Sequence, residues 1–208
     1  MKYYLKEEFL HEKNLKNAGS KARNDVEEIV KKEGYQDLVL SVDNWYEMST
    51  FKAQLYKSKV FGEVLDQLKQ GDELLIQLPI INHSFFATHH VKKVQKKGVK
   101  VHFIIHDLEA LRYVNVENFP LKHKIRIQIQ ESGLLGIADG IIAHNPIMKS
   151  VLVDKGIAED KIVSLGIFDY LIPDFQEKAS LTKNQPIIVA GNLAQEKAGY
   201  LYSLPTEP

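Results

Sequence analysis

The sequence predicts an α/β protein built on a doubly wound parallel sheet. Two observations carry that reading. Short apolar runs alternate with longer amphipathic stretches along the chain, and most of the short runs are apolar throughout rather than alternating. Unbroken apolar strands are expected where both faces of a sheet are covered, and strand–helix alternation is the signature of stacked βα units.

The elements follow in order. Strands are expected at Tyr3–Leu5, Leu38–Leu40, Leu74–Leu78, Val99–Ile105, Gly140–Ala143 and Ile162–Leu165. Ser20 is placed to cap a helix running to about Lys32, stopped by Gly34. A second helix spans about Met48–Lys69, with Phe61, Val64, Leu65 and Leu68 on its apolar face and Gly71 as its stop. A third covers about Ser84–Lys97 before Gly98. A fourth, about Leu121–Ile137, sets Leu121, Ile125 and Ile129 at helical spacing, and a fifth, Pro146–Lys155, starts on proline and ends at Gly156. Residues 1–172 then make one domain. Pro173, a polar run from Gln176 to Gln185, and Pro186 read as a linker over 173–186. Ile187–Ala190 followed by Gly191-Asn192 reads as the first strand and loop of a second, Rossmann-like domain over 187–208, cut short at its start.

Composition narrows the function classes. The 27 basic residues balance 27 acidic ones, which argues against a general electrostatic affinity for nucleic acid. With no cysteine, disulfides and thiolate nucleophiles or metal sites are excluded, and a cytoplasmic location is expected. No stretch approaches the ~18 apolar residues of a membrane span, leaving peripheral attachment as the one membrane role open.

Candidate chemistry gathers where strands end. Asn17-Ala-Gly19-Ser20 turns into a helix N-terminus, where free N–H groups can meet an anion or sugar hydroxyl. The alternative is an ordinary capped helix start. This turn is neither a dinucleotide fingerprint nor a phosphate-binding Walker loop, which counts against an unrelated nucleotide-binding module. The strand Val99–Ile105 ends in His106-Asp107, with Glu109 and Arg112 following. Asp107 or Glu109 suits a general base for an acceptor hydroxyl, and Arg112 suits a diphosphate. The same residues also read as a strand-end turn with a surface ion pair, or as a loose carboxylate pair for a metal. His83 and Asn145 sit at further strand ends as ligand contacts, although Asn145 is also placed to cap a helix. His89 and His90 are expected at the surface or partly buried. Gly191-Asn192 with Lys197 reads as a donor-diphosphate site or as a plain turn, and Tyr200 and Tyr202 stack on a base or simply pack.

With these residues in place, the chain resembles bacterial nucleotide-sugar glycosyltransferases of the GT-B type. Within them it is most similar to beta-1,6-galactofuranosyltransferases and related sugar transferases of exopolysaccharide and serine-rich adhesin glycosylation. The resemblance rests on the segments 17–25, 103–112, 143–148, 165–171 and 191–202. It implies two Rossmann-like domains, the first serving the acceptor and the second a UDP-sugar, with no metal and no cofactor beyond that donor. Asn17, Gly19, Ser20, His83, His106 and Asn145 would then contact the acceptor. Asp107 and Glu109 would be catalytic, and Arg112, Gly191, Asn192 and Lys197 would hold the donor. The implied partners are a nucleotide-sugar and a carbohydrate or glycoprotein acceptor, in a homo-oligomer. A non-catalytic homologue acting as an interaction or ligand-binding module is the alternative.

Overall fold

The computed structural model describes residues 1–8, 20–42, 48–82, 84–108, 120–166, 171 and 198–203, without the side chains of 122–124, 126 and 128–130. The chain divides into two compact units, Met1–Leu171 and Ile172–Pro208. In the second, the described residues form a 3-10 turn over Gly199–Ser203, with Tyr200 and Tyr202 exposed. The expected strand Ile187–Ala190 lies outside the described residues.

The first unit is a six-stranded, all-parallel sheet ordered β2-β1-β3-β4-β5-β6. Its strands are β1 (Lys2–Glu8), β2 (Gln36–Ser41), β3 (Glu73–Leu78), β4 (Lys100–Ile105), β5 (Gly140–Ala143) and β6 (Ile162–Ser164). The described helices are α1 (Lys21–Lys32), α2 (Thr50–Leu65), α3 (Ala87–Lys96), α4 (Leu121–Leu135) and α5 (Pro146–Asp154). The expected fold class and all six strands of this unit are present. Period-2 alternation sends Leu74, Ile76 and Leu78 of β3 to the larger core, shared with Phe61 and Leu65 of α2, Val91 and Val94 of α3, Leu134 of α4 and Leu152 of α5. The opposite face carries Tyr4, Leu75 and Ile104, which pack against Val26 and Val30 of α1.

Several boundaries differ from the sequence expectation, each for a local reason. β1 runs on to Glu8, because parallel pairing with β2 from Tyr3–Gln36 to Glu8–Ser41 holds the charged stretch extended. α2 stops at Leu65 rather than near Lys69. There, i→i−3 bonds from Gln67 to Val64 and from Leu68 to Leu65 tighten the turn, and Asp72 accepts the Lys69 N–H. α3 begins at Ala87, since Ser84 Oγ accepts the Phe86 N–H and folds the preceding residues into a turn. Within α4 the expected apolar stripe is displaced. Leu121 and Ile125 are exposed at 71% and 50%, while Ile127 and Leu134 face the core. The stops at Gly34 and Gly98 are as expected, at φ 84° and 91°, a left-handed backbone that favours glycine.

The order β2-β1-β3 makes the chain wind outward in both directions from β1 and β3. That boundary is the topological switch point, and in open α/β sheets ligands occupy the crevice at the carboxyl ends of the strands there. β1 and β3 pair only from Lys2–Glu73 to Tyr4–Leu75, although β1 stays paired to β2 as far as Glu8, and β3 to β4 as far as Leu78. Beyond Tyr4 the two strands part, and the opening lies at the carboxyl edge.

Candidate active site at the sheet switch point

Titratable side chains line this opening. The Glu7 carboxylate, near the end of β1, is 5% exposed and lies 3.3 Å from Arg23 Nη1 of α1. It also accepts the N–H groups of Ile81 (3.1 Å) and Asn82 (2.7 Å), just after β3. Arg23 Nη2 donates to the Pro79 carbonyl. Lys57, which α2 buries to 6% exposure, supplies a further positive charge that favours the ionised Glu7. Burial pushes the Glu7 carboxyl up from its ordinary range, and the N–H bonds, Arg23 and Lys57 pull against that. Burial likewise pushes Arg23 and Lys57 down, opposed by Glu7.

From Arg23 a chain of contacts runs across the strand ends. Gln77 Nε2 donates to the Arg23 carbonyl (3.4 Å), and Gln77 Oε1 lies 2.6 Å from His106 Nε2. A carbonyl only accepts, so the Gln77 amide turns its NH2 toward Arg23, and its oxygen accepts a hydrogen bond from His106 Nε2–H. The His106 ring meets the His144 ring edge-on, with centroids 5.7 Å apart. Burial first, then the charges of Arg23 and His144, push His106 down to about 4, so it is neutral near pH 7. Its folded-state value lies below the ordinary 6.5, so the unfolded chain binds the proton more tightly. The stability His106 contributes is therefore present above pH 6.5 and lost as pH falls toward about 4. We expect His106→Gln to lose less stability than the parent between pH 7 and pH 5 in urea melts. Equal losses would remove this role.

Lys6 and Glu7 of β1, Ser20, Arg23 and Asn24 around the start of α1, and Gln77 border an open crevice of about 70 Å³. At roughly 30 Å³ per water it admits a hydroxyl-bearing group or about two waters, not a nucleotide. Beside it, Lys6 and Lys31 bridge Glu27 and Asp37 in a network linking α1, β1 and β2. Lys21 and Asp25 together grip the backbone of Leu171, through its carbonyl (2.6 Å) and its N–H (3.0 Å).

The sequence-derived candidates distribute as follows. Ser20 borders the crevice, and His106 joins it through Gln77. Ser20 is not the expected helix cap. It has φ −90° and ψ −13°, makes no side-chain cap bond, and contributes only its carbonyl, to the Asn24 N–H. Asn145 does cap α5, accepting the Met148 N–H at 2.8 Å, and follows His144 at the end of β5. Asn145→Ala should therefore cost about 1 kcal/mol of stability in thermal melts. Ser20→Ala should stay within about 0.5 kcal/mol. Asp107 is half-buried immediately after β4. His89 is exposed, and His90 is half-buried against Ser58 Oγ at 2.9 Å. Asn17, Gly19, His83, Glu109, Arg112, Gly191, Asn192 and Lys197 lie outside the described residues.

Glu7, Lys57 and Gln77 escaped the sequence reading, although two of them left a signal. Gln77 is the lone polar residue in Leu74–Leu78. Lys57 stands at i, i+4 spacing between Ala53 and Phe61, on the face α2 buries. Among the described residues, no group of three His, Asp or Glu side chains is arranged to hold a metal, and no helix is long and apolar enough to cross a membrane.

Comparison with known proteins gives two matches. A family model described as Glucosyltransferase 3-like, N-terminal domain, matches residues 2–167. The beta-1,6-galactofuranosyltransferase WbbI of Escherichia coli (strain K12) is 27% identical over 199 residues, which are 94% of this chain and 54% of that protein. The chain thus spans about half the length of the curated relative it matches.

Proposed function

This chain belongs to the Glucosyltransferase 3-like N-terminal domain family, and from that premise we propose that it is the acceptor-side part of a GT-B type glycosyltransferase. The reaction moves a hexosyl unit, galactofuranose or glucose, from a UDP-sugar to a hydroxyl of a carbohydrate or glycoprotein acceptor. One observation carries the reading: the buried Glu7 side chain and half-buried Arg23, with Gln77 and His106, converge at the switch-point crevice, where this sheet type receives ligands.

A crevice of this size suits one sugar hydroxyl, flanked by Ser20 and Asn24. Asp107, following β4, or Glu109 takes the acceptor proton as the hydroxyl attacks the anomeric carbon and the UDP bond breaks. Arg112 and Lys197, with the backbone at Gly191-Asn192, offset the charge that develops on the departing diphosphate. Asn17, Gly19, His83 and Asn145 complete the acceptor contacts. No step in this scheme calls for a metal or a further cofactor. Catalysis would take place in the cytoplasm.

The test is calorimetry with UDP, UDP-glucose and UDP-galactofuranose, followed by transfer assays from each donor to a panel of methyl glycosides. UDP binding that Lys197→Ala weakens, together with a labelled disaccharide product, supports the reading. A tight NAD complex, or no heat with any uridine nucleotide, would overturn it.

A further inference from the structure

Above Tyr4–Leu75 no backbone ladder joins β1 to β3, and the segment after β3 takes its hydrogen bonds from charged side chains instead. Glu7 receives two successive N–H groups, of Ile81 and Asn82, on its two oxygens, and Arg23 reaches the Pro79 carbonyl. The same segment is anchored from below by Ile80, Asn82 and Ser84, which are 2%, 5% and 1% exposed. It turns Ile81, Phe85 and Phe86 outward, at 49%, 48% and 43% exposure. Gln54 of α2 accepts the Phe85 N–H at 3.0 Å and fixes its far end.

We infer that Glu7 and Arg23 are positioning residues: they staple residues 79–82 into a preformed rim on the acceptor side of the crevice. Two features favour this over plain structural support. A carboxylate is the side chain whose two oxygens can both accept from adjacent backbone N–H groups, and a glutamine in its place loses one acceptor. Buried ion pairs are also a poor source of stability compared with apolar packing of equal volume, so a pair kept at a ligand-receiving edge points to geometry as what it supplies. The inference rests on the proposed glycosyl transfer for its substrate, but its structural half stands apart from it.

The experiment uses the whole chain and compares Glu7→Gln, Glu7→Asp and Arg23→Lys with the parent. Hydrogen exchange monitored by NMR should show protection of the Ile81 and Asn82 amides falling roughly tenfold in Glu7→Gln. The Phe103 and Ile104 amides of β4 should be unchanged, and Glu7→Asp should show a smaller loss. In transfer assays the acceptor KM should rise roughly tenfold with kcat within about twofold and the donor KM unmoved. Arg23→Lys, which keeps the charge but not the fork, should shift acceptor KM the same way by a lesser factor. Unchanged protection at Ile81 and Asn82 overturns the inference, as does a loss spread over β4 or a fall in kcat at constant acceptor KM. If the parent transfers no sugar, the functional reading fails, and exchange alone decides the stapling: a loss confined to Ile81 and Asn82 upholds it, and any other pattern sinks it.

Discussion

Arg23→Met should destabilise the protein by roughly 3 kcal/mol near pH 7, more than most single substitutions on the surface of this domain. The cause is what the change leaves behind. The Glu7 side chain is 5% exposed, and Arg23 Nη1 lies 3.3 Å from it, with Lys57 as a second positive charge acting on it. Losing the guanidinium strands a buried carboxylate and frees the Pro79 carbonyl at the same time. The pH dependence gives the mechanism away. Burial already raises Glu7 above its ordinary value, and removing Arg23 takes away one of the groups pulling it down. At Glu7 the folded variant therefore binds a proton more tightly than its unfolded chain, so the Glu7 contribution to stability is fully present at low pH and is lost as pH rises through the raised Glu7 value. The gap to the parent should narrow as pH falls toward the ordinary carboxylate range. Denaturant melts across pH, with Glu7→Gln/Arg23→Met closing a double-mutant cycle, measure this. If the double variant is no more stable than Arg23→Met alone, the stranded charge is not the cause.

Asp107→Asn carries the largest expected effect on rate. Under its proposed role as the base, the amide keeps size and polarity but cannot take a proton. The kcat for sugar transfer should fall by roughly 100- to 10,000-fold while UDP affinity stays within about twofold. Asp107 is half-buried just after β4, next to neutral His106. A variant within about threefold of the parent would pass the role to Glu109 or to a reaction without a protein base.

The sheet was legible because its central strands, β3 and β4, are buried on both faces and its elements are punctuated by glycine and proline. Leu74–Leu78 and Gly140–Ala143 needed no long-range information to be found. The site was legible only where polarity followed an obvious apolar run, as at His106-Asp107. Glu7 was hidden by its neighbours: in Lys6-Glu7-Glu8 every residue is charged, which locally resembles a solvated loop. Only the pairing to β2 shows that the strand continues through it. The charge of Lys57 is likewise unremarkable until α2 packs that face inward. Ser20 failed as a cap for the converse reason. Its residue type favours capping, yet its backbone is already helical, and a cap requires an extended one.

The early end of the β1–β3 ladder gives the sheet a seam. Up to Tyr4–Leu75 the seam is sewn by main-chain bonds in the hydrophobic interior, and beyond that Glu7 and Arg23 button it to residues 79–82. A button can be undone without unpicking the cloth. A substitution at Glu7 or Arg23 therefore releases the strand tips while Tyr4, Leu75 and the main-chain bonds between them stay in place.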